Sequence, residues 1–165
     1  MTMINALLKE MDYEAATTRK MLSIVPSDKF DWQPHPKSMT IKQLATHIAE
    51  LPGWVSMTLH TDGLDFEVTP YQQVEVNNTP ELLDYFERTL TDGRASLANA
   101  DENSFDNEWT LSSGEQVFVR CTKAEMIRSS YSQIVHHRAQ LGVCLRLLNV
   151  PIPGSYGPSA DEQGK

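Results

Sequence analysis

Apolar residues recur every three or four positions near the start of the chain, which predicts an amphipathic helix over roughly residues 2 to 24. Pro26 ends this pattern. Residues 26–39 contain three prolines and no periodicity, so we expect a loop there, with Phe30 and Trp32 as its anchors on the core. The apolar stripe of the first helix consists of Ile4, Leu7, Leu8, Met11, Ala15, Met21, Leu22 and Val25.

The second predicted helix begins at Thr40. Thr40 and Gln43 fit the capping box, in which two side chains satisfy free backbone N–H groups at a helix start. Pro52-Gly53 lies inside the helical pattern, and we expect a kink there because proline removes one backbone hydrogen bond. Residues 61–78 are expected to form an irregular connection. The apolar stripe consists of Ile41, Leu44, Ile48, Leu51, Val55 and Leu59.

The third helix has the clearest start signals. Thr79 is the expected N-cap, Pro80 the first helical residue, and Glu81 favours the positive end of the helix dipole. Gly93 is a weak point within this helix, because glycine has low helix propensity. The stripe consists of Leu82, Leu83, Phe86, Leu90 and Leu97.

In residues 101–121 the helical pattern stops, and short apolar runs lie on both sides of Ser112–Glu115. This pattern predicts a short β-hairpin or an extended excursion. A second capping box, Thr122 with Glu125, then opens a fourth helix that extends to about Asn149. Four long amphipathic helices with unequal connections favour an all-α four-helix bundle with a hairpin-like insert before the last helix. A single domain over residues 1–165 is expected.

Charge and composition narrow the function classes. The 165 residues include 14 Lys and Arg against 22 Asp and Glu, a net charge of −8, which argues against nucleic-acid binding. Only Cys121 and Cys144 are available for disulfides, so two reduced thiols are expected. No stretch is apolar enough for a membrane span, and the first residues do not fit a signal peptide. These features favour a cytoplasmic protein without a membrane partner.

Two histidines occupy positions that the helical pattern gives to apolar residues. His47 lies on the inner face of the second helix and His137 on that of the fourth. Facing helices of a bundle bring such side chains together, and imidazole binds zinc, nickel and iron. Gln133 precedes His137 by one helical turn and shares its face. The alternative is that each histidine is an ordinary hydrogen-bonded residue at the edge of the core.

The other candidate groups are weaker. His136 points about 100° away from its neighbour His137 on a helix, which places it at the rim of any shared site. His35 and His60 are expected in solvent. The sequence has no nucleophile elbow, phosphate-binding loop or dinucleotide motif, and no acidic residue completes a Ser–His arrangement.

Several segments resemble one known family. Residues 40–48 (TIKQLATHI) resemble the second-helix motif of the DinB-like (DinB/YfiT) superfamily, and residues 134–141 (IVHHRAQL) resemble its fourth-helix signature. Residues 145–151 and 156–162 are similar to the ending found in one branch of that family. The likeness extends over nearly the whole chain in order and length.

The resemblance implies an up-down-down-up four-helix bundle that holds a divalent metal, zinc or nickel, through three histidines. His47 and His137 match two of these ligands, and Gln133 occupies the position of the third. An amide oxygen is a weaker donor than imidazole for these metals. The site could therefore bind metal weakly, recruit water, use His136 after a local twist, or have lost its metal. Arg138 matches the family's arginine and is expected to pair with a carboxylate near the dimer or bundle surface.

The resemblance also implies an activity. Known relatives include S-transferases that use bacillithiol, mycothiol or glutathione and a mycothiol-dependent maleylpyruvate isomerase, and others resemble metal-dependent hydrolases. We therefore expect a small-molecule substrate, with a low-molecular-weight thiol as one partner, and a homodimer. The alternative is a non-catalytic bundle with a degenerate metal site, in which Gln133 stands for the third histidine.

Overall fold

The computed structural model describes residues 2–164. In this range the chain is mostly helical, with four long α-helices and one small three-stranded sheet. No helix among these residues is both long and apolar enough to cross a membrane. The elements are α1 (Met3–Ser23), α2 (Ile41–His60), β1 (Gly63–Asp65), α3 (Thr79–Ala98), β2 (Glu108–Ser113), β3 (Gln116–Thr122) and α4 (Lys123–Leu147).

Both predicted capping boxes are confirmed. The Thr40 side chain accepts the N–H of Gln43, and the Gln43 side chain accepts the N–H of Thr40 in return. Thr122 and Glu125 make the same reciprocal pair at the start of α4. These bonds satisfy backbone donors that have no partner inside the helix, and so fix where α2 and α4 begin.

The predicted N-cap of α3 is wrong by one residue. Asn78, with an extended backbone, is the cap, and its side chain accepts the N–H of Glu81 at 2.9 Å. Thr79 is already helical, and its hydroxyl donates instead to the carbonyl oxygen of Val25 at 2.6 Å. Thr79 therefore joins the start of α3 to the end of α1.

Helices α1 and α2 each pack against both α3 and α4. Helices α1 and α4 are parallel. Glu10 pairs with Arg128, and further towards the C-terminal ends of both helices Glu14 pairs with Arg138. The chain just before α3 lies beside the start of α2, where Lys42 pairs with Glu75, so α2 and α3 are also parallel. One apolar core between the four helices holds Leu22, Ile41, Ile48, Val55, Leu82, Phe86, Leu97, Ile127 and Leu141, among others.

The predicted hairpin is present and is larger than expected. Strands β2 and β3 are antiparallel, and their turn contains Gly114 with φ at +57°. Strand β1 adds to β2 in parallel, although the segment that contains it was expected to be irregular. The indole N–H of buried Trp109 donates to the hydroxyl of Thr61 at 3.1 Å, which fastens the sheet to the end of α2.

Helix α2 continues unbroken through Pro52, where the sequence predicts a kink. Gly93 of α3 faces that residue, and a Cβ atom on Gly93 would lie 2.1 Å from the Pro52 carbonyl oxygen. The glycine that the sequence marks as a weak point therefore permits the close approach of α2 and α3.

Arg138 pairs with a carboxylate, as expected, but the pair is buried inside the protein and not near its surface. Its guanidinium lies 2.7 Å from Glu14 and donates to Thr18 at 3.0 Å and to the Tyr156 hydroxyl at 3.1 Å. The Tyr156 hydroxyl in turn donates to Glu14 at 2.8 Å. This network ties the segment after α4 to α1, and the ion pair of Arg146 with Asp161 holds the same segment further along.

Candidate metal centre

His47 of α2 and His137 of α4 face each other across the helix interface. Their ring centroids are 4.7 Å apart, with the ring planes at 73°. Both side chains are partly buried at the edge of the core. The helical pattern that placed each histidine on an inner face therefore brings the two imidazoles into contact.

Gln133 completes the group that the sequence singles out. It lies one helical turn before His137 on α4, and its Oε1 is 3.4 Å from Nε2 of His47. The structure therefore brings His47, Gln133 and His137 together at one place. The three side chains offer two imidazole nitrogens and one amide oxygen.

Two further side chains fix the hydrogens on the imidazoles. Nδ1 of His47 is 2.5 Å from Oε1 of Glu50, and Nδ1 of His137 is 2.9 Å from Oε1 of Gln140. A carboxylate oxygen can only accept, so Nδ1 of His47 carries the hydrogen and donates it; with the amide oxygen of Gln140 facing it, Nδ1 of His137 does the same. In a neutral imidazole this leaves the lone pair on Nε2, the atom available to a metal.

This tautomer has a consequence at Gln133. With the hydrogen on Nδ1, Nε2 of a neutral His47 is an acceptor, and it faces Oε1 of Gln133, which is another acceptor. A cation between the two atoms would satisfy both. In a metal-free site, rotation of the Gln133 amide would let its NH₂ group donate to Nε2, or a second proton on His47 would donate to Oε1. The donor set therefore fits a divalent metal and also a closed hydrogen-bonded state.

Electrostatics favour neutral His137. Its pKa is lowered, chiefly because burial disfavours the charged ring; the hydrogen bond with Gln140 opposes this shift, and the neighbouring His47 and His136 reinforce it. A neutral imidazole is the form that binds metal, so the site does not need to lose a proton from His137 near pH 7.

Glu50 and Tyr71 also belong to this site, although the sequence did not predict them. Glu50 is buried, and the Tyr71 hydroxyl donates to its two oxygens at 2.9 and 3.0 Å. Burial and the negative charge of Glu50 raise the pKa of Tyr71 well above its usual value, so this hydroxyl remains a donor. Glu50 follows His47 by three residues on a helix, which was a usable signal. Tyr71 comes from the irregular segment before α3, where no pattern indicates it.

The remaining histidines do not join the centre. His136 is exposed, and its ring centroid is 4.8 Å from that of His137. His35 and His60 are exposed, as expected. Among residues 2–164, no group of three or more His, Cys, Asp or Glu side chains is arranged to hold a metal ion. Gln133, with its Oε1 close to His47, is the third ligand that this geometry offers beside the two imidazoles.

Other proteins are similar to this chain over most of their length. The chain is 22% identical over 166 residues to the uncharacterized protein YrdA of Bacillus subtilis, covering 98% of this chain and 93% of that one. A solved DinB-like protein from Bacillus subtilis, YjoA, superposes with a TM-score of 0.70 at 16% identity over 91% of this chain and 96% of that one. At such identities the structural likeness shows the fold.

A third neighbour is named for a thiol-dependent reaction. The mycothiol-dependent maleylpyruvate isomerase superposes with a TM-score of 0.61 at 13% identity, covering 86% of this chain and 61% of that protein. The family model described as the DinB family matches residues 1–164. Since that match extends over nearly the whole sequence, the chain belongs to the DinB family.

Proposed function

We propose that the protein is a metal-dependent enzyme of thiol S-transferase or hydrolase type. The observation that carries this proposal is the meeting of His47, Gln133 and His137, with both Nδ1 atoms already engaged by hydrogen bonds. Two imidazoles whose free Nε2 atoms are prepared by other side chains are typical of metal ligands.

His47, Gln133 and His137 would hold a divalent metal, with zinc or nickel the best match to this donor set. Such a metal lowers the pKa of a bound thiol or water and so supplies a nucleophile at neutral pH. The protein's own contribution is orientation. Glu50 and Gln140 keep each imidazole in the tautomer that leaves Nε2 free.

The thiol is supported by the family and by one neighbour. The solved maleylpyruvate isomerase is mycothiol-dependent by name and shares the helical fold of this chain. We extend that dependence to this protein as a proposal and expect a low-molecular-weight thiol as one reactant and a small molecule as the other.

Metal analysis tests the centre directly. We expect tag-free protein to carry close to one equivalent of zinc or nickel, and the His137→Ala variant to lose it. His60→Ala is the matched control, because His60 is an exposed histidine at the end of α2, away from the centre. Wild-type protein without affinity for either metal, or equal metal content in His137→Ala, would remove the proposal.

The alternative is a bundle whose metal site has degenerated, with the Gln133 amide donating to Nε2 of His47 in a closed pair. In that case wild-type protein binds zinc weakly, and Gln133→His raises the affinity sharply because imidazole is the better donor. Tight binding of metal by the wild type, together with turnover of a thiol, excludes this alternative.

An activity assay separates the two reaction types. Metal-loaded protein is incubated with a chromogenic electrophile in the presence and absence of bacillithiol, mycothiol or glutathione. Product formation that requires a thiol indicates a transferase, and product formation with water alone indicates a hydrolase. His137→Ala loaded under the same conditions serves as the inactive reference.

We also propose an up-down-down-up bundle that pairs with a second copy of the chain. The parallel pairs α1/α4 and α2/α3 support the bundle, and an exposed apolar row on α4 supports the dimer. Leu147 is 59% exposed and lies about two helical turns after the exposed Ala139. We expect Leu147→Glu to dissociate the dimer in sedimentation experiments, whereas the control Val68→Glu, at a valine that is 79% exposed, leaves it intact.

A further inference from the structure

A cavity of about 490 Å³ opens beside the candidate metal centre. It lies between the loop before α2 and the C-terminal half of α4, and His137 and Gln140 form part of its wall. Its volume falls in the range of small-molecule sites in proteins. A ligand in this cavity would therefore lie next to the imidazole of His137.

The lining combines apolar surface with one fixed charge. Met39, Leu44, Val143 and Cys144 supply apolar surface, and among residues 2–164 Lys37 is the one lining residue with a full charge. No carboxylate from this part of the chain lines the cavity, although the protein has 22 acidic residues against 14 basic ones. The charged group that the lining offers to a ligand is therefore a cation.

Lys37 is presented by an ordered turn. The N–H of Lys37 donates to Nδ1 of His35 at 3.1 Å, and the N–H of Ser38 donates to the carbonyl oxygen of His35 at 2.8 Å. The loop is also attached to the start of α2, because the N–H of Ile41 donates to the carbonyl oxygen of Trp32 at 2.9 Å. These bonds fix the backbone that carries Lys37 beside the cavity, so less of the loop has to be ordered when a ligand binds.

We propose that this cavity is the substrate-binding site and that it selects small organic carboxylates, with Lys37 contacting the carboxylate and Met39, Leu44 and Val143 covering the apolar part. The proposal deepens the proposed function and rests on it for the identity of the reaction. Lys37 is a specificity-determining residue in this account. The carboxylate belongs either to the thiol or to its co-substrate, and the experiment separates these two sources.

Methyl-group NMR of the full-length protein as purified tests the proposal with three probes. Butyrate carries the carboxylate, butyramide is its neutral analogue, and 3-mercaptopropionate replaces the terminal methyl of butyrate by a thiol. We expect butyrate to shift the methyl signals of Leu44 and Val143 saturably and to bind roughly two- to fivefold more tightly than butyramide, the gain expected from one partly exposed charge pair.

Variants of two lysines make the test specific. Lys37→Ala should abolish the preference for butyrate over butyramide, and Lys37→Arg should retain it. Lys29→Ala is the control, since Lys29 is in the same loop, pairs with exposed Asp28 and does not line the cavity. Equal binding of butyrate and butyramide, absence of shifts at Leu44 and Val143, or equal effects of the two alanine variants overturns the proposal.

The affinity for 3-mercaptopropionate indicates which of the two reactants carries the carboxylate. Tighter binding of 3-mercaptopropionate than of butyrate places the carboxylate on the thiol, and equal binding places it on the co-substrate; both outcomes require the cavity. The metal content of each sample is measured in parallel. Carboxylate selection in protein that cannot bind metal would contradict the proposed function alone, and metal binding without carboxylate selection would contradict the cavity proposal alone.

Discussion

His47 donates its Nδ1 hydrogen to the carboxylate of Glu50, three residues further along α2, over 2.5 Å. The Tyr71 hydroxyl donates to both oxygens of that carboxylate from the segment before α3. A buried carboxylate that accepts from both groups holds the imidazole ring in one orientation and one tautomer. Residues outside the predicted ligand set therefore determine which nitrogen of His47 faces Gln133.

We predict that Glu50→Gln weakens zinc binding about 10- to 100-fold, the usual cost of losing such a supporting group. An amide accepts more weakly than a carboxylate, and its NH₂ group can turn towards Nδ1 and favour the wrong tautomer. Competition with a chromophoric chelator measures the affinity. Imidazole ¹⁵N shifts of His47 measure the tautomer, which a loss of general stability would not change.

Two other variants limit the interpretation of Glu50→Gln. Tyr71→Phe removes only hydrogen bonds to Glu50 and should weaken zinc binding less than Glu50→Gln does. Glu87→Gln makes the same change of charge on α3, where Glu87 pairs with Arg19 at the surface, and should leave zinc binding unchanged. Equal losses in Glu50→Gln and Glu87→Gln would attribute the effect to net charge and not to His47.

The helices could be predicted because their signals are local. Capping boxes such as Thr40 with Gln43 involve residues three apart, and the stripes that placed His47, Gln133 and His137 on inner faces need only the helical period. The N-cap of α3 was misplaced because Asn78 and Thr79 are both good caps, and Pro80 is tolerated at the first or second helical position.

The parts that were missed depend on distant contacts. Strand β1 exists because Gly63–Asp65 pairs with Thr110–Ser112, and three residues alone give no strand signal. Tyr71 reaches Glu50 from an irregular segment, so only the fold brings the two residues together. Glu50 itself could have been predicted from the sequence, because residues three apart on a helix lie on the same side and Glu50 follows His47 by three.

The buried pair of Arg138 and Glu14 should be far more costly to break than an exposed pair between the same two helices. Arg138→Met leaves the Glu14 carboxylate buried without its partner, and such losses cost about 3–5 kcal/mol. Denaturant unfolding measures the change in free energy of unfolding. Combining Arg138→Met with Glu14→Gln should cost less than the two single losses added together, because the charge left unpaired is also removed.

The pair of Arg128 and Glu10 is the matched control for the buried pair. It also joins α1 to α4, but both side chains are substantially exposed, so Arg128→Met should cost only about 0–1 kcal/mol. A loss for Arg128→Met as large as that for Arg138→Met would show that burial of the charge does not determine the cost.

The segment after α4 should loosen around Asp161 at acidic pH. The hydrogen bonds of Asp161 with Arg146, and then with the N–H of Ile152, lower the pKa of Asp161 from its usual 3.8 to about 2. The docked segment therefore binds fewer protons than the detached one. The contribution of Asp161 to docking is present above pH 3.8 and is lost as the pH falls from 3.8 towards 2.

The amide signal of Ile152 reports this loosening in an NMR titration between pH 2 and 6. The pKa of Glu162 is lowered by the N–H groups of Gly154 and Ser159, so this carboxylate acts in the same direction. In Asp161→Asn the Ile152 signal should indicate a loosened segment throughout the range. An acid transition that is unchanged in Asp161→Asn would assign the pH dependence to another group.

Gly93→Ala should destabilise the protein, although alanine is favoured over glycine inside a helix by about 1 kcal/mol. The new Cβ would lie 2.1 Å from the Pro52 carbonyl oxygen, so α2 and α3 must separate. Overpacking of this kind costs on the order of 1–3 kcal/mol.

Gly53→Ala is the control in the same helix pair. A Cβ atom added at Gly53 would lie 3.5 Å from its nearest neighbour, Cβ of Thr89, which is an ordinary contact distance. Thermal unfolding should therefore show a lower Tm for Gly93→Ala and an equal or higher Tm for Gly53→Ala. Stabilisation by both changes would mean that helix propensity outweighs the close approach at Pro52.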